Sequence, residues 1–132
     1  MVNMSVTFHD HEWAESPANG RTFSGAQDAI ELLHGLRSRD PFFCSFDGPN
    51  GTLLIGVACE YGCVQYTPAG GEPPYLMASG KPKGTAVVEF LSGGTPTPIS
   101  EQYLLRWPEL DGVIRSFVEK GILTDTVSWH DV

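Results

Sequence analysis

Positive charge is scarce in this chain. Eight lysines and arginines stand against sixteen aspartates and glutamates over 132 residues, a formal net charge of -8. A field of that sign repels phosphate backbones and attracts basic partners, which argues against direct binding of nucleic acid. The shortage is also uneven. Residues 1–20 and 40–80 contain aspartate and glutamate but no lysine or arginine, and Lys81 and Lys83 sit together just beyond. One side of the fold is therefore expected to be distinctly negative.

Cysteine is sparse as well. Cys44, Cys59 and Cys63 are odd in number and fall in stretches that read as strands. This pattern fits small buried thiols in a reducing compartment better than the disulfide framework of a secreted domain. Long apolar runs are missing too: no stretch approaches the ~20 apolar residues needed to span a bilayer. The first residues also lack the basic region and apolar core of a secretory signal. A cytoplasmic location without membrane contact is the expectation.

What is present suits a single domain over residues 1–132, large enough to bury roughly two thirds of its unfolded surface without metal or disulfide staples. The clearest signal lies near the end. Leu110, Val113, Ile114, Phe117 and Val118 recur at the i, i+3, i+4, i+7, i+8 spacing of a helix with one buried stripe. Pro108 suits the first turn, Glu109 and Asp111 place negative charge at the positive end of the dipole, and Gly121 suits a left-handed C-cap. Residues 122–129 then read as a return segment and edge strand carrying Trp129. An earlier helix is expected over residues 24–39. Ser24 and Gln27 have capping-box spacing, Ala26, Ala29, Ile30, Leu33 and Leu36 supply the stripe, and Asp40-Pro41 stops it.

Strand-like runs occupy residues 5–9, 42–46, 52–59, 63–67, 75–79 and 84–91. The turns at 47–51 and 60–62 favour antiparallel hairpins over crossover helices. Residues 92–100, with Gly93-Gly94, Pro96 and Pro98, read as a connector, and 101–105 as a short helical turn. The order predicts an α+β domain: a single antiparallel, meander-rich sheet of about five or six strands with two helices packed on one face. The opposite face is then left to water or to a partner.

Enzyme chemistry finds little support. His9-Asp10-His11-Glu12 holds metal-ligand types, but His34 and His130 are distant in sequence and no third ligand is in sight. Cys59 and Cys63 would need a second pair to hold zinc, and only Cys44 is left. Cys44 with His34 lacks a setting that would activate a thiolate. Gly70-Gly71 and Gly93-Gly94 lack the lysine and following helix of a phosphate loop. The paired signature of a zinc deaminase is absent. No catalytic residue, cofactor site or metal site is assigned.

Marker residues spread along the chain carry a resemblance. They are the Trp13 region, the 24–39 helix, the run Gly51-Thr-Leu-Leu-Ile-Gly-Val-Ala-Cys59 with Gly62-Cys-Val-Gln-Tyr66, the run Thr85-Ala-Val-Val-Glu-Phe90, and Phe117-Val-Glu-Lys-Gly121 leading to Val127-Ser-Trp129. In these the sequence resembles the first of the numbered Imm families, immunity proteins of bacterial polymorphic-toxin systems. The resemblance implies an antitoxin in interbacterial competition, whose partner is a cognate toxin domain with a basic active-site cleft, such as a nucleic-acid deaminase. It implies a one-to-one complex formed without chemistry. A plug of that kind sets carboxylates where phosphates would lie and an aromatic where a base would stack. Asp47, Glu60, Tyr61, Glu72, Tyr75 and Glu89 are the candidate contacts, whereas Trp107 and Trp129 suit core packing beside the second helix. Two alternatives stand beside this reading. One is a small-ligand domain or enzyme with His9, His11 or Cys44 at a crevice mouth, and the other is a secretion adaptor for an effector.

Overall fold

The computed structural model describes residues 5–80 and 87–132. In chain order these form β1 (Val6–Asp10), β2 (Thr22–Phe23), α1 (Ala26–Gly35), β3 (Phe42–Gly48), β4 (Gly51–Val57), β5 (Tyr61–Pro68), β6 (Leu76–Ser79), β7 (Val87–Ser92) and β8 (Thr95–Ser100). A 3-10 turn (Glu101–Tyr103), β9 (Leu105–Arg106), α2 (Trp107–Lys120) and β10 (Ser128–Asp131) complete the set. The sheet runs β10-β6-β5-β4-β3-β1-β2, with the β7–β8 hairpin attached at β3 and β9 attached at β5. All pairings are antiparallel except a single parallel bridge, Phe42 with Leu91.

The expected α+β class and the two helices are observed, but the sheet has ten strands rather than five or six. Three additions lie where turn residues mask extended backbone. β2 and β9 are two-residue pairings, too short to leave a periodic signal. β8 replaces the expected connector despite Pro96 and Pro98. Leu91 sends its N–H away from β8, to Pro41 O at 2.8 Å, so its partner Pro96 also points its nitrogen outward. Pro98 has the same parity, and an edge strand tolerates proline where no ladder donor is needed. The strand expected over residues 84–91 is seen from Val87 to Ser92. Thr85 and Ala86 lie outside the described residues, as do Lys81 and Lys83.

Helix α2 matches its sequence signals closely. Leu110, Val113, Ile114, Phe117 and Val118 are buried together, and Gly121 ends the helix at φ 68°. Its N–H reaches Phe117 O at 2.9 Å, the bond of a left-handed αL cap, and Ile122 N–H adds a longer one to Ser116 O at 3.4 Å. Helix α1 is shorter than the expected 24–39 segment. Gly25 stands at its N-cap with no side-chain cap bond, so the Ser24–Gln27 box does not form. Beyond Gly35 the chain continues in turns that carry Arg37 and Arg39.

Both helices bury their stripes in the cluster formed by Phe8, Phe42, Phe46, Leu53, Ile55 and Val57 on one sheet face. The opposite face is not left to solvent throughout, because the β7–β8 hairpin covers part of it. There Phe90 is fully buried and lies 5.4 Å from Phe43, in a second cluster with Cys63, Met77 and Leu104. Gly56 makes that approach possible: a Cβ there would stand 2.6 Å from Cys63 Sγ and 2.8 Å from the Phe90 ring.

Candidate functional site

Three distant pieces of chain meet at one end of the helical layer. They are the end of α1 with the turns after it, the β4–β5 turn, and the start of α2. Trp107, the first residue of α2, is almost fully buried, and its indole N–H donates to Ala58 O at 3.0 Å. Arg37 Nε donates to Cys59 O at 2.7 Å, and its guanidinium lies 4.8 Å above the Trp107 ring. The β4–β5 turn is thus held through two consecutive carbonyls, with Ala58 N–H closing it onto Tyr61 O at 3.0 Å. Glu60, at its tip, is exposed.

His34 couples the helices. Its Nε2 lies 3.0 Å from both carboxylate oxygens of Asp111, and Arg37 Nη1 donates to its Nδ1 at 3.0 Å. Because an arginine only donates, Nδ1 is the acceptor and Nε2 carries the proton given to Asp111. The result is a carboxylate–imidazole–guanidinium chain across α1 and α2, packed against Trp107 with ring centroids 4.7 Å apart. Between these elements opens a groove of about 640 Å³ whose lining includes Arg37, Glu60, Tyr61, Arg106, Pro108 and Asp111. A second depression of about 550 Å³ shares Arg37, Glu60 and Tyr61 with it and extends toward Arg39, Asp40 and Cys59.

The six sequence candidates scatter. Of these, Glu60 and Tyr61 lie on this groove. Asp47 lies within β3 rather than in the following turn, where it accepts from Thr52 Oγ1 at 2.8 Å and stands 3.0 Å from His9 Nε2. Glu72 is exposed in the β5–β6 loop, and Tyr75 donates its hydroxyl to Gly71 O at 2.7 Å in the same loop. Glu89 is exposed on β7, paired with Pro98 on the hairpin. Trp107 sits in the core as expected, and Trp129 is half-buried with its indole N–H on Thr124 O at 2.8 Å.

The groove residues Arg37, Arg106 and Asp111 went unassigned in the sequence because each reads locally as an ordinary helix-end charge. The available signal was their scarcity, since arginine is rare in this chain. The residues of the small-ligand alternative do not line the groove. His11 Nε2 lies 2.9 Å from Ser45 Oγ, His9 pairs with Asp47, and Cys44 is fully buried. Burial, followed by the Asp10 charge, raises the Cys44 pKa well above the ordinary thiol value. Burial likewise pushes Cys63 up to about 12. Contrary to the expectation of three buried thiols, Cys59 is exposed. No three-residue cluster of metal-ligating side chains occurs among the described residues.

Fold and groove together define an α+β domain with a large open antiparallel sheet and a charged cleft at its helical end. No family model matches the chain, and no curated protein matches it. No helix among the described residues is long and apolar enough to cross a membrane.

Proposed function

We propose that this protein is an antitoxin of the immunity type, which binds a basic cognate toxin domain one-to-one and occludes its active site without chemistry of its own. The supporting observation is the disposition of its charge. Among the described residues only Asp10, Asp47, Asp111 and Glu119 of the sixteen carboxylates are ion-paired, two of them with histidine. Asp10 alone of the sixteen is buried, so the acidic excess faces outward, where it can steer and hold a positive surface. Glu60 and Tyr61 offer the most fixed contact, because their turn is tied down by Trp107 and Arg37. A preorganised turn loses less freedom on binding.

The test is to mix the purified protein with the catalytic domain encoded beside it, and to measure binding and residual toxin activity at low and moderate salt. Tight one-to-one binding with loss of activity is expected, with association slowing as salt rises. Absence of binding overturns the proposal, and binding that leaves the toxin active favours the secretion-adaptor reading.

A further inference from the structure

The groove beside α2 has a charge pattern of its own, independent of any toxin. Arg39 and Arg115 are ion-paired with carboxylates, whereas Arg37 and Arg106 form no ion pair among the described residues and line the same groove. Arg37 is also fixed in place. Its Nε and Nη1 are engaged by Cys59 O and His34 Nδ1, and Trp107 supports its plane. A guanidinium has five N–H donors in a planar fork. Two are used, and the others are held ready for an oxyanion. Asp111 makes no ion pair with Arg37 or Arg106 among the described residues, its carboxylate being turned to His34 Nε2 at 3.0 Å.

Glu60 sets the second half of the pattern. It lines the same groove, is exposed, and has no ion pair among the described residues. A polyanion would meet Glu60 and the -8 field of the whole protein. A simple carboxylate would use the arginines but gain nothing from Glu60, which stays in water. A ligand bearing a carboxylate and a cation satisfies both. Tyr61 and Pro108 add apolar wall, and about 640 Å³ lies within the range of small-molecule sites.

We infer that this groove binds a small zwitterion of amino-acid type, its carboxylate clasped by Arg37 and Arg106 and its ammonium group facing Glu60.

The test is a titration of isotope-labelled protein with phenylalanine, 3-phenylpropanoate and inorganic phosphate, following the Trp107 indole N–H by NMR. The first two probes differ in the ammonium group, and phosphate isolates the oxyanion. A saturable shift is expected with phenylalanine at lower concentration than with either other probe. Arg106→Gln should raise the half-saturation point about ten-fold, the loss of one charge-assisted contact. Glu60→Gln should abolish the preference for phenylalanine over 3-phenylpropanoate. No saturable shift with phenylalanine, an unchanged midpoint in Arg106→Gln, or tighter binding of phosphate would each overturn the inference.

Discussion

Two arginines that leave the end of α1 two positions apart meet opposite fates. Arg39 places Nη1 2.7 Å from Asp10 Oδ2, whose side chain is fully buried, and stacks 3.7 Å above Phe42. Asp10 Oδ1 accepts the N–H groups of Glu12 at 2.9 Å and Trp13 at 2.8 Å, so one carboxylate fastens the loop after β1 to the end of α1. Arg37 instead meets neutral partners, a carbonyl and an imidazole nitrogen. A buried carboxylate demands its cation and absorbs it, whereas neutral acceptors orient a guanidinium and leave its charge available. The first arrangement is an anchor. The second is a poised surface.

The sharpest way to break this comparison is to remove each centre in turn. Asp10→Ala should destabilise the fold most, by about 3–5 kcal/mol, because it leaves a partly buried arginine and two loop N–H groups without their acceptor. Denaturant unfolding measures the loss. Arg37→Gln should cost about 1–2 kcal/mol, the scale of hydrogen bonds from a charged donor. A loss as large as that of Asp10→Ala would erase the distinction between anchor and surface.

The cysteines sharpen the same contrast at smaller effect. Cys44 lies under the anchor and Cys59 on the groove side. In the native protein a thiol reagent should modify Cys59 and leave Cys44 and Cys63 untouched until the chain unfolds. Mass spectrometry of the labelled protein reads this directly, and rapid native labelling of Cys44 would show that the anchored region opens. A last and smallest effect concerns alkali. Burial pushes the folded-state thiol of Cys63 up to about 12, well above the ordinary thiol value. The unfolded chain therefore releases this proton first, so the contribution to stability is complete below about pH 9 and is lost as pH rises toward 12. The melting temperature should fall over that interval less steeply in Cys63→Ala than in the parent.

Helix α2 was legible because its information is local: a stripe at 3.6-residue period, a first-turn proline and a C-cap glycine within fifteen positions. Helix α1 was legible in its stripe but not in its start, where Gly25 rather than Ser24 takes the cap position. Strand β8 was misread because proline punctuates strands everywhere except on an outer edge, and edge position is a property of the whole sheet. The site divides the same way. Glu60 and Tyr61 could be picked out as turn residues, but their meeting with Arg37 and Arg106 depends on tertiary packing that brings positions far apart in sequence to one cleft. Asp47, Glu72, Tyr75 and Glu89 share the chemistry of a contact residue without lying on that cleft.

The outward-facing prolines of β8 also bear on how the protein behaves when crowded. A bare strand edge invites another chain to zip onto it, the first step toward fibres. At Pro96 and Pro98 that edge offers carbonyls without donors, so an incoming strand finds alternate rungs missing. The hairpin can thus lie over the sheet while resisting the growth of a cross-β stack.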